Sequence, residues 1–128
     1  MTAHPLFRLV LPGPVLCLAV PTNGSLVAAG DREGNLTVAG PDGALRWQKQ
    51  LGEGIHGLAV SRDGSRLVVG SKDCSLRMFR GDGELEWEQA LGKSVWSLAM
   101  DPSSSYIAAG TGDSVALFTD GGIMVWEY

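Results

Sequence analysis

Ile55-His-Gly-Leu-Ala-Val60, leading into Ser61-Arg-Asp-Gly-Ser65, is the middle copy of a passage that the chain writes three times. Val15-Leu-Cys-Leu-Ala-Val20 precedes it by forty residues, and Val95-Trp-Ser-Leu-Ala-Met100 follows it by forty. Leu58, Ala59, Ser65 and Gly70 have identical counterparts at Leu18, Ala19, Ser25, Gly30 and at Leu98, Ala99, Ser105, Gly110. Each unit closes on Gly-x-x-x-Trp, from Gly43 to Trp47, Gly83 to Trp87 and Gly122 to Trp126. A fixed period of this size marks one supersecondary unit per repeat, which buries its apolar face by stacking on a sibling.

Within the middle unit, Ile55 to Val60 reads as a first strand. Asp63-Gly64 supplies the positive φ angles of a tight reversal, and Arg66 to Gly70 is a β-branched second strand. Ser71-Lys-Asp-Cys74 turns the chain again, and Ser75 to Phe79 alternates as a third strand. After the Asp82-Gly83 hairpin, Glu84 to Leu91 is a fourth, with Leu85 and Trp87 opposite Glu84, Glu86 and Glu88. The first two strands are apolar on both faces, as strands sandwiched between sheets must be. The fourth reads as a rim strand whose glutamates form a solvated edge that discourages stray pairing.

Four antiparallel strands per forty residues is one propeller blade. The expected fold is therefore all-β, a β-propeller with three four-stranded antiparallel blades per chain. The repeats span residues 15–54, 55–94 and 95–128, and residues 1–14 hold an extra rim strand, His4 to Leu11. The third copy is one residue short, and the loss falls in Thr111-Gly-Asp-Ser114, where a loop absorbs it.

The stretch Leu58-Ala-Val-Ser-Arg-Asp-Gly-Ser-Arg-Leu-Val-Val-Gly-Ser-Lys-Asp73 resembles the first half of a WD repeat. The Gly-x-x-x-Trp endings resemble the repeats of quinoprotein (pyrroloquinoline-quinone-type) propellers. The chain departs from the WD family in having no Gly-His before the first strand and no Trp-Asp after the third, where Phe79-Arg80 stands. The family's Asp-His-Ser-Trp hydrogen-bonded network is therefore not expected here.

Composition narrows the function classes. A net charge of −4, with Lys and Arg scattered singly, argues against a nucleic-acid surface. No run is long and apolar enough to span a bilayer as a helix, so no membrane role is expected. The apolar Leu6 to Val20 is broken by Pro12-Gly-Pro14 and contains the first repeat, so it reads as structure rather than a secretion signal. Cys17 and Cys74 occupy non-equivalent repeat positions, which points to free thiols in a reducing, cytoplasmic setting.

Catalysis finds little support. The two histidines, His4 and His56, belong to no Ser-His-Asp set, and no Walker loop, zinc spacing or dinucleotide fingerprint is present. No cofactor or metal is expected. Asp31-Arg-Glu-Gly-Asn35 imitates the start of a calcium loop, but no closing Glu follows and the other copies lack it, so a polar turn accounts for it. The repeated Trp residues stand too far apart in the repeat to sandwich one quinone and fit packing between blades.

Three blades do not close a ring, since propellers need four to eight. The rim positions that read Ala44, Arg46 and Glu84, Glu86 inside the chain become Leu6 near its start and Ile123, Val125 near its end. Leu6, Phe7, Leu9, Ile123, Val125 and Trp126 are therefore the expected oligomer interface. The simplest closure is a two-fold homodimer, six blades sealed by exchanged rim strands. Continuation into further blades of a longer propeller fits the same open ends.

His56 fills the slot held by Leu16 and Trp96 in the other copies. Variation at one slot of a regular repeat points to exposure at the top of the ring, where loops carry binding. The candidate top-face contacts are Glu53, His56, Lys93 and Trp96, with Arg32, Asp73 and Asp113 from the neighbouring turns. The plainer alternative is that His56 and Trp96 only cap strand ends. The expected function is a non-catalytic scaffold that binds itself and a protein or peptide. The alternatives are a quinoprotein-like small-molecule binder, enzyme or sensor, and a purely structural self-assembling unit.

Overall fold

A computed structural model describes residues 8–128 as twelve strands in three antiparallel sheets. The first blade holds β1 (Val15–Ala19), β2 (Val27–Asp31), β3 (Asn35–Ala39) and β4 (Leu45–Gln50). The second holds β5 (Ile55–Val60), β6 (Arg66–Ser71), β7 (Ser75–Arg80) and β8 (Leu85–Ala90). The third holds β9 (Val95–Met100), β10 (Tyr106–Thr111), β11 (Val115–Thr119) and β12 (Met124–Glu127). Each sheet runs in sequence order, so every connection is a hairpin.

The blades stack through their inner strands, β5 lying against β1 and β2, and β9 against β5 and β6. Two apolar layers result. One joins Leu26, Ala28, Leu36 and Val38 to Ile55, Leu58 and Leu67, and the other joins Val68, Leu76 and Met78 to Val95, Ile107 and Phe118. A side chain of this size contributes roughly 1.5–3 kcal/mol when fully buried, so these layers supply most of the stabilisation. The repeated glycine before each second turn permits the approach. A Cβ on Gly30 would lie 2.7 Å from that of Ile55, and one on Gly70 2.8 Å from that of Val95.

The turns depart from the expected form. In Asp63-Gly64 only the glycine takes positive φ, so Asp63 does not share a two-residue primed turn. It instead closes a four-residue turn whose Gly64 N–H donates to the Ser61 carbonyl. The Asp63 carboxylate accepts from Ser65 N–H, Ser65 Oγ and Ser61 Oγ. The Asp31–Asn35 turn is likewise closed internally, since Asp31 accepts from the Asn35 backbone and side chain and from Gly13 N–H. The shortened turn of the third blade does absorb the missing residue. Gly70 pairs with Leu76 but Gly110 with Val115, and strand register is kept.

Three expectations are corrected. Glu84, Glu86 and Glu88 are not a bare solvated edge: Glu86 meets Arg66 at 3.1 Å, Glu88 meets Arg77 at 3.1 Å, and Glu84, just before β8, meets Arg80 at 3.4 Å. Leu85 is not on a covered face but exposed, because a bulge at Glu86 breaks the alternation. Blade 3 carries its own fourth strand, β12. Of the rim strand expected over His4 to Leu11, residues 1–7, including Leu6 and Phe7, lie outside the described residues, and residues 8–11 form no strand. Leu9 instead lines a hollow on the first blade beside Leu11, Leu18 and Ala39.

Candidate functional site

Each inner strand begins with a bulge, and the bulged residue is Leu16, His56 or Trp96. Val15 pairs with Asp31 and Cys17 with Gly30; Ile55 pairs with Ser71 and Gly57 with Gly70; Val95 pairs with Thr111 and Ser97 with Gly110. One residue per strand is thus left out of the ladder and re-aimed. This is why the slot varies among the copies: it packs in no sheet. His56 and Trp96, from adjacent blades, meet there with ring centroids 4.5 Å apart and planes tilted by 56°.

Around that pair lies a hollow of about 360 Å³ at the end of the blades where the inner strands begin. Arg32, Glu33, Glu53 and Lys72 flank it, and Gly52 and Gly54 keep its wall low. Of the seven expected contacts, Arg32, Glu53, His56 and Trp96 converge here. Lys93 and Asp113 do not line it but pair with each other at 3.0 Å, with Ser114 Oγ 3.2 Å from the ammonium. Asp73 lies in the β6–β7 turn and is occupied there, accepting from Ser75 and, at 2.8 Å, from Arg77. Partial burial alone would raise the Asp73 pKa, but those hydrogen bonds and the Arg77 charge hold it below the ordinary carboxylate range.

Glu33 and Lys72 belong to the site although no repeat irregularity singled them out. Their signal was positional, since both sit in the same second turns as Arg32 and Asp73. Burial and the charges of Lys72 and Arg32 push the His56 pKa down, so its ring is neutral at physiological pH. Neutral imidazole, half-exposed indole and balanced charges form a recognition surface, with no nucleophile or metal-ligand cluster among them.

A larger hollow of about 610 Å³ lies at the opposite end, between the Ser61–Ser65, Pro102–Ser104 and Thr22–Asn23 turns. Its polar groups are engaged with one another. Asp63 holds Ser61 and Ser65, and Arg66 bridges to the Asp120 carboxylate at 2.9 Å and its carbonyl at 2.8 Å. The smaller hollow is the better candidate because it presents uncommitted aromatic surface.

Residues 48–80 and 88–127 each match the family model "WD domain, G-beta repeat". The chain belongs to the WD-repeat family. Both matches start in an outer strand, β4 or β8, and run through the next inner strands, so a family repeat straddles two blades. This WD-repeat chain is also similar in fold to the β-propeller domain of Myceliophteria thermophila Cps50 (Swd1). The TM-score is 0.80 at 18% identity, over 93% of this chain and 40% of that one. No curated protein matches the chain.

WD propellers are in general non-catalytic scaffolds for protein interaction. In this member the Asp73 carboxylate accepts from Ser75 and Arg77 and the Asp73 N–H donates to Ser71 Oγ, with neither His nor Trp among these partners.

Proposed function

We propose that this WD-repeat chain is a non-catalytic interaction scaffold in which two copies form a six-bladed ring. A protein or peptide docks on the end that carries His56 and Trp96, in the cytoplasm, where both thiols stay reduced. The bulge-presented pair supports the reading most directly. Trp96 is 48% exposed, and Arg32, Lys72, Glu33 and Glu53 surround it. Such a floor suits an aromatic or aliphatic side chain, and the rim suits the backbone and charges beside it.

A displayed random-peptide library selected on the full chain tests this. Selected peptides are expected to lose at least tenfold in affinity with Trp96→Ala or His56→Ala and to keep it with Lys49→Ala on the outer strand. Peptides that bind Trp96→Ala as tightly as the parent protein would place docking elsewhere.

A further inference from the structure

We infer that the third blade of one copy is a socket for the first blade of a second copy of this chain. Val15 of the second copy enters at Gly110, and Trp126 lies on its Gly40–Gly43 turn. The inference rests on the ring-forming self-association proposed above and adds which surfaces meet.

The same joint is already built twice within the chain. Gly30 lets Ile55 close on the first blade, and Gly70 lets Val95 close on the second. Gly110 is the third glycine of the series. A Cβ there would meet only Ser97 of its own strand pair, at Oγ, 2.5 Å away. The residue equivalent to Ile55 and Val95 is Val15, which is 48% exposed where they are fully buried. Leu18 is 65% exposed, and its counterpart Leu58 only 8%. A socket without its plug and a plug without its socket therefore sit at opposite ends of one molecule.

The outer strands repeat the pattern. Trp47 Nε1 donates to the Gly81 carbonyl in the next blade at 2.8 Å, and Trp87 Nε1 to the Asp120 carbonyl at 3.0 Å. The equivalent carbonyl for Trp126 is that of Pro41 in the second copy. Proline lacks an N–H, but the joint uses only its C=O. Gly43 there has φ +84°, like Gly83 at +97° and Gly122 at +86°, so the turn has the shape that receives an indole. Between these points Tyr106 and Val115 stand exposed at the positions of Arg66 and Leu76, which the next blade covers within the chain. The first blade has Ala39 where the others have Phe79 and Phe118, and Leu9 and Leu11 line the space this leaves. The two surfaces differ, so the contact is head-to-tail, and two such joints between three-bladed copies close one ring.

Light scattering of the full chain is expected to give twice the 13.5 kDa chain mass. Gly110→Val should shift it to a single chain with an unchanged far-ultraviolet spectrum, and Val15→Asp should do the same without touching the third blade. Trp126→Phe should raise the dimer dissociation constant at least tenfold. A single-chain mass for the parent protein overturns both this joint and the self-association it rests on. A two-chain mass that survives Gly110→Val and Val15→Asp leaves self-association standing and overturns the joint. Any mass above two chains overturns the six-bladed closure.

Discussion

Trp47 of the first blade rests on Gly83 of the second. Its indole nitrogen donates to the Gly81 carbonyl, and a Cβ on Gly83 would lie 3.0 Å from the indole Cδ2. Trp87 and Gly122 repeat the arrangement one blade on. The Gly-x-x-x-Trp motif thus joins neighbours: the glycine receives the indole of the blade before, and the tryptophan reaches the blade after.

Replacing Trp47 by Phe keeps most of the ring burial and removes the donor to the Gly81 carbonyl. The expected cost is about 1–2 kcal/mol, the worth of one partly buried hydrogen bond. Gly83→Ala should cost a similar amount, because φ is +97° at that position. Urea unfolding reads both, and a Trp47→Phe protein as stable as its parent would sever the motif from blade stacking.

At Gly70 an added methyl meets Val95, whose β-carbon is held by its own strand, so neither side can give cheaply. Gly70→Ala is expected to cost about 1–3 kcal/mol, in the range of overpacked cores. At a protein concentration low enough to keep the chains single, Gly110→Ala, which within its own chain faces only the rotatable Ser97 hydroxyl, should leave the fold nearly as stable. Equal losses in a denaturant titration would contradict the contrast.

Much of this architecture was legible because the repeat is strict. The expected bounds of β5 agree with those observed, and β6 to β8 differ by a residue or so at their ends. What alternation could not reveal were the bulges at His56 and Glu86, which change facing without changing composition. The ion pairs of Glu86 and Glu88 escaped for a related reason: their partners Arg66 and Arg77 lie on two other strands and only pairing brings them together, whereas Arg80 and Glu84 meet across the hairpin between β7 and β8. In the candidate site, variation at one slot pointed to His56 and Trp96, whereas Lys72 and Glu33 converge through the stacking angle between blades, which no local pattern encodes.

Acid should weaken the fold through its turn carboxylates. Hydrogen bonds from Ser65 and Ser61 lower the Asp63 pKa from 3.8 to about 2, and those from Ser103 and Tyr106 lower that of Asp101. A depressed folded-state pKa gives stability that is whole above the unfolded value and is lost as pH falls toward the folded one. The melting temperature should therefore drop between about pH 4 and pH 2. Asp63→Asn should melt lower at pH 7 and show a shallower acid drop. An acid drop identical to the parent's would remove Asp63 from this account.

The two thiols should differ in reactivity. Burial pushes the Cys17 pKa up to about 11, and its Sγ donates to the Ile55 carbonyl at 3.4 Å. Cys74 stands half-exposed in a turn. Thiolate is the reactive form, so a disulfide reagent at pH 8 should label one thiol promptly and the second only on unfolding. Two thiols labelled at one rate in the folded protein would refute this.

Cys74 also carries a conformational load. Its φ of +74° matches +89° at Gly34, the same turn position one blade earlier, and the third blade deletes the residue altogether. A side chain in this left-handed region costs about 1–2 kcal/mol relative to glycine. Glycine in turn gives the unfolded chain more freedom and returns part of that. Cys74→Gly should therefore stabilise the protein by about 0.5–1 kcal/mol, visible as a higher urea midpoint with unchanged slope. A lowered midpoint would mean that the thiol holds the turn through a contact outweighing the strain, such as its approach to the Lys72 carbonyl at 3.8 Å.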